Sequence, residues 1–113
     1  MKKVNRQRVY RVQVGIENSD RLQLFLSTSE STVRLMQQMM REGVVDFVFR
    51  KETTTELVRR RGTLLPAYIG DYAFSAEQGG YRSPLILTYW DVERGGWRSC
   101  LAHNLVGYFE RGP

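Results

Sequence analysis

Apolar side chains recur at every second position over several short stretches of this chain, and residues that turn the backbone separate the stretches. A period of two puts the apolar residues on one face of an extended segment, whereas a helix needs a period of 3.6. Val9-Tyr-Arg-Val-Gln-Val-Gly-Ile16 places Tyr10, Val12, Val14 and Ile16 on one face, and Leu22, Leu24 and Leu26 repeat the pattern. Glu17-Asn-Ser-Asp20 between them is a turn composition, so the N-terminal part reads as a β-hairpin.

The period then changes. In Ser27-Thr-Ser-Glu30 a serine hydroxyl can cap the free amides of a first helical turn while the glutamate three residues later reaches back. Val33, Leu35, Met36, Met39 and Met40 follow at helical spacing, and Gly43 offers a left-handed stop, which predicts a helix over about 29–42. Val44–Arg50 reads as a strand with Val45, Phe47 and Phe49 on one face, and Glu56–Leu64 returns as its partner. Pro66 breaks that pairing, and the Gly-containing stretch 70–83 reads as a long connection. Leu85–Trp90 and Trp97–Leu101 form a further hairpin whose turn takes its positive backbone angles from Gly95-Gly96. After a turn at Ala102–Asn104, a short strand over Leu105–Glu110 ends the pattern.

The expected fold is mainly β, with some α: a small Sm-like or SH3-like barrel of about five bent strands, preceded by one helix and carrying an extra N-terminal β-hairpin. Chains this rich in short strands dispose of exposed edges by curling toward closure. No linker or repeat divides the 113 residues, so one domain is expected, with 1–28 as a basic tail and hairpin extension and 29–113 as helix plus barrel.

Charge is unevenly placed. Lys2, Lys3, Arg6, Arg8 and Arg11 accumulate without an acid in the first 11 residues, and removing those five from the 17 bases leaves 12 against 12 acids. The body is formally neutral, so an anion site there must come from local placement rather than a global field. No apolar run approaches the roughly 20 residues needed to cross a bilayer, so no membrane association is expected. The single Cys100 and the lack of a signal-like apolar run point to a reducing, cytoplasmic setting. One histidine and one cysteine do not make a zinc site, and nothing in the sequence asks for a metal or cofactor.

Arg61-Gly-Thr-Leu64, Tyr89-Trp-Asp-Val-Glu-Arg-Gly-Gly-Trp-Arg-Ser99 and Asn104-Leu-Val106 resemble segments of the WYL-like family of Sm-like, SH3-type barrel proteins from Bacteroidetes and their phages and mobile elements. The resemblance spans roughly residues 31–109, and Cys100 stands where an aromatic is more usual. It implies the barrel, and by relation to WYL domains it implies a ligand- or nucleic-acid-sensing role for Tyr89, Trp90, Trp97 and Arg98.

The residues offer several sites. Alternation sends Arg59 and Arg61 to one strand face and Arg60 to the other; an arginine of this run could join Arg98 in clamping a phosphate or carboxylate, or all could be a solvated face balanced by Glu52, Glu56 and Glu93. Trp90 and Trp97 could stack on a base, or pack in the core. The basic tail could attract phosphates or merely solubilise. Ser99, His103, Asp91 and Cys100 supply residue types used in hydrolysis, but no nucleophile elbow surrounds Ser99, so no enzyme is expected. The leading expectation is a non-enzymatic module that binds nucleic acid. The alternatives are a pocket for a small anionic nucleotide and a protein-interaction module such as an inhibitor of a host defence enzyme. A homo-oligomer joined through strand edges is compatible with each.

Overall fold

The computed structural model describes residues 21–70 and 83–110. Their order is β1 (Arg21–Leu24), α1 (Glu30–Glu42), β2 (Val45–Arg50), β3 (Leu57–Thr63), a single turn of helix α2 (Pro66–Ile69), β4 (Ile86–Asp91), β5 (Gly96–Leu101), a 3-10 turn (Ala102–Asn104) and β6 (Leu105–Glu110). The six strands make one antiparallel sheet in the order β1-β6-β2-β3-β4-β5.

That order forces the sheet to bend. β5 and β6 lie four strand positions apart, which in a flat sheet would be about 19 Å. Only three residues link Leu101 to Leu105, and four Cα steps reach at most about 14 Å. The sheet therefore curls back on itself, as the sequence predicts, but β5 and β6 do not pair and the expected barrel stays open. β2 to β6 are the five strands expected, and β1, expected as one strand of the separate N-terminal hairpin, instead adds to the outer side of β6, Leu22 opposite Phe109 and Leu24 opposite Gly107, making six among the described residues. Its expected hairpin partner, residues 9–16, lies outside the described residues.

Gly107 is required where β1 meets β6: a Cβ there would collide with the carbonyl oxygen of Gln23 and come within 3.2 Å of the Leu24 Cα. Gly62 does the same inside, where an added Cβ would sit 2.6 Å from the Tyr89 ring. Of the leucines expected to share a face, Leu22 and Leu24 pack with Val48, Leu57 and Phe109, while Leu26 is fully exposed beyond the end of β1.

The helix starts where expected, but its N-cap is Ser29 rather than Ser27. The reciprocal partner is Thr32, whose hydroxyl accepts the Ser29 amide at 3.1 Å and donates to the Ser27 carbonyl at 2.9 Å, so Glu30 is free to pair with Arg34 one turn on at 2.7 Å. Gly43 ends the helix in extended rather than left-handed backbone, φ −179°. The reason is that the Thr63 hydroxyl, 3.1 and 2.8 Å from the carbonyl oxygens of Met40 and Gly43, and the Leu64 amide, 2.9 Å from Met40, supply the donors a left-handed cap would otherwise provide.

Val33, Met36 and Met40 of α1 bury against Phe47, Leu87, Tyr89, Cys100 and Leu105 on one face of the sheet. Phe47 meets Tyr89 edge-on at 5.1 Å. The opposite face holds a second cluster of Leu22, Val48, Leu57 and Phe109. β2 is thus covered on both sides, which explains why its sequence is almost continuously apolar rather than strictly alternating.

Candidate functional site

Strand register sorts the expected site residues onto two faces. Phe47 pairs with Arg60, Gly62 with Asp91 and Tyr89 with Arg98, so Arg60, Asp91, Tyr89 and Arg98 share the face that α1 covers in part. Arg59, Arg61, Trp90 and Trp97 share the other. Arg98 therefore does not stand beside Arg59 or Arg61, and the arginine of that run on its own face is Arg60.

Arg59 is committed to the protein. Its Nε and Nη2 donate to Asp46 Oδ1 and Oδ2 at 2.8 and 2.6 Å, and its guanidinium lies 4.0 Å over the Phe109 ring. Arg61 is exposed and makes no side-chain ion pair among the described residues. It borders a shallow polar hollow with Asp46, Tyr68, Glu42 and Glu110, in which acids outnumber bases. The basic tail, Lys2 to Arg11, lies outside the described residues.

Tyr89 and Trp90 are both buried, on opposite faces: Tyr89 in the core, Trp90 beneath Trp97, the two indoles edge to face at 5.6 Å and 88°. Covering Trp90 leaves Trp97 half-buried, and its outer side lines a groove of about 670 Å³. The groove follows the margin of β4 that β3 leaves unpaired after Thr63, where α1 and α2 lie instead. Leu64, Pro66, Ile69, Pro84 and Ile86 make it apolar, and Arg34, Gln37 and Arg41 edge it from consecutive turns of α1. Arg34 is held by Glu30, whereas Arg41 has no partner among the described residues. Thr88, also in the lining, carries a buried hydroxyl with no hydrogen-bond partner among the described residues. Of the lining residues, Ile69 and Ser83 lie nearest in sequence to 71–82, a segment outside the described residues.

Sequence reasoning missed Arg34, Arg41 and Thr88. The helical arginines stood at i and i+7 on the polar side of α1, a signal that could have been noticed, but nothing in the sequence says that this side adjoins Trp97.

The residue types associated with hydrolysis do not assemble. Ser99 pairs with Thr88 on the face opposite Asp91. Asp91 is wholly buried and accepts the amides of Glu93 and Arg94, both at 3.0 Å, fixing the β4–β5 turn. In that turn Gly95 alone has a positive φ, +68°, while Gly96 does not. His103 is exposed 3.1 Å from Glu52, which also accepts from Asn104, and these two hydrogen bonds hold the Glu52 carboxyl below its usual range. Cys100 is buried, and burial pushes its thiol up to about 12, away from the reactive thiolate. Among the described residues no three His, Cys, Asp or Glu side chains gather as metal ligands, and no helix is long and apolar enough to cross a membrane.

No curated protein and no solved structure matches the chain significantly. A family model does match, over residues 33–106, from the second turn of α1 into β6, and β1 falls outside that span. The curled antiparallel sheet, with its last strand returning beside the first of the meander, agrees with that match, and the chain belongs to the WYL_2 family of the Sm-like SH3 beta-barrel fold.

Proposed function

We propose that the protein is a non-enzymatic module that binds single-stranded nucleic acid through the groove between α1 and β4–β5. The observation that carries this reading is the meeting of a half-buried tryptophan with unpaired basic charge in one concave apolar site. A base stacks on Trp97, Arg41 and Arg34 meet the backbone phosphate, and a polar atom of the base satisfies the Thr88 hydroxyl. The neutral body supplies no general pull on phosphate, so the basic tail adds a salt-dependent, sequence-independent attraction. A cytoplasmic setting belongs to the same proposal, supported by a lone cysteine kept as a buried thiol.

The groove volume also favours a second reading, a pocket for one anionic nucleotide, since about 670 Å³ suits a ligand of that size. Fluorescence anisotropy with labelled single-stranded DNA and RNA at several salt concentrations tests both. Binding is expected to weaken as salt rises, and Trp97→Ala is expected to weaken it about tenfold, the lower part of the range for one lost base stack. Arg41→Gln is expected to reduce the salt slope by about 0.7. Absence of binding at low salt, or binding indifferent to Trp97→Ala, overturns the groove as a nucleic-acid site. A mononucleotide that raises the melting temperature and displaces the oligonucleotide selects the single-nucleotide reading.

A further inference from the structure

Several arginines pair with an acid of their own: Arg59 with Asp46, Arg34 with Glu30, Arg21 with Glu110. One place differs. Asp91, wholly buried, faces two guanidinium groups through its Oδ2, Arg94 Nη1 at 3.4 Å and Arg60 Nε at 4.0 Å. Its other oxygen is taken by the two turn amides. A third arginine stands alongside. Arg98 is directly across from Tyr89, the residue two before Asp91, so Arg60, Asp91, Tyr89 and Arg98 follow one another on one face of β3, β4 and β5. The charges of both Arg60 and Arg98 act on the Tyr89 hydroxyl, offsetting part of the upward push of burial.

Two guanidinium groups on one carboxylate leave one positive charge in excess, and Arg98, across from Tyr89 on the same face, adds a second. Arg60 is mostly withdrawn from solvent, its side chain 22% exposed, so water screens it weakly. The hydrogen bond its side chain makes among the described residues is to the carbonyl of Arg59 at 3.0 Å. Arg98 is exposed and has no hydrogen-bond or ion-pair partner among the described residues. Guanidinium groups carried on one face by β3, β5 and the β4–β5 turn are suited in chemistry to a tetrahedral oxyanion.

We propose that Arg60, Arg94 and Arg98 form an oxyanion site that takes a phosphate group, with Asp91 as the fixed counter-charge that positions two of the three. The site lies on the face opposite Trp97 and does not depend on the groove. Phosphate completes the charge balance that Asp91 leaves unfinished, and Arg98 swings in from solvent to close on it.

The test uses the full chain and inorganic phosphate, titrated against chloride at constant ionic strength, with melting temperature as the readout. A rise of about 5 °C is expected once phosphate is tenfold above its dissociation constant. Arg98→Gln should abolish most of the rise without lowering the melting temperature in chloride, because Arg98 has no hydrogen-bond or ion-pair partner among the described residues. Arg94→Gln should reduce it, and Trp97→Ala should leave it intact. No rise beyond chloride in the unaltered chain, or a rise undiminished in both Arg98→Gln and Arg94→Gln, overturns the proposal. A 5′-mononucleotide and a dinucleoside monophosphate identify the source: stabilisation by the first alone marks a terminal phosphate, and by the second a strand backbone. Loss of the phosphate response with retained Trp97-dependent oligonucleotide binding would refute this site and leave the groove standing.

Discussion

Arg59 on β3 grips Asp46 on β2 with two parallel hydrogen bonds while its guanidinium lies flat over Phe109 of β6, so one side chain ties three neighbouring strands. An arginine that reads from sequence as a candidate ligand contact is a brace across the outer face of the sheet.

The brace has a measurable worth. Both partners are about three-quarters withdrawn from solvent, at 30% and 26% exposure, and a two-pronged charge-assisted pair in that setting exceeds a surface salt bridge. Arg59→Ala is expected to cost about 2 kcal/mol in urea unfolding. A double-mutant cycle with Asp46→Ala should return a coupling of about 1 kcal/mol, the remainder being the lost packing on Phe109. A coupling indistinguishable from zero would remove the pair from the account of stability.

Gly107 sets whether β1 belongs to the sheet. A methyl group there meets the β1 backbone, which cannot yield as a flexible side chain would. In Gly107→Ala the amides of β1 and its partners on β6 should lose protection from hydrogen exchange, while those pairing β2 with β3 and β4 with β5 keep theirs, because the larger core with α1 needs nothing from β1. Equal loss across all strands would show that β1 is part of the cooperative unit.

Cys100 makes stability fall in alkali. Its thiol ordinarily ionises near 9, and burial raises that to about 12 in the folded chain. Between those values the unfolded chain releases a proton that the folded chain retains, so unfolding gains and stability drops as pH rises, by about 1.4 kcal/mol per unit from this group alone. The buried Tyr89 hydroxyl, also raised, adds to the slope above pH 10. Cys100→Ala should flatten most of the curve between pH 8.5 and 9.5, where Tyr89 is still mostly protonated in both states. An unchanged slope there would mean that the thiol is not held neutral by burial.

Much of the fold is legible in the chain because it depends on local rules. Val45, Phe47 and Phe49, the α1 methionines and the Trp97–Leu101 return each fall where period and turn residues put them. Readings failed where a distant residue supplied what a local signal had promised. Gly43 needs no left-handed cap because Thr63, twenty positions on, caps the helix. Of the two alternatives left open for Trp90, packing holds, because Trp97 closes over it from the next strand.

The candidate sites divide in the same way. Alternation alone determined that Arg59 and Arg61 part company from Arg60, and that Tyr89 and Trp90 point to opposite faces, because an extended backbone turns each successive side chain over. Which arginine keeps company with Arg98 is a matter of register between β3, β4 and β5, and register is decided by how the whole sheet buries its apolar faces. The placing of Arg41 and Trp97 on one groove depends further on where α1 lies against an unpaired strand margin. These are relations between residues dozens of positions apart, carried by packing, and only the tertiary structure decided them.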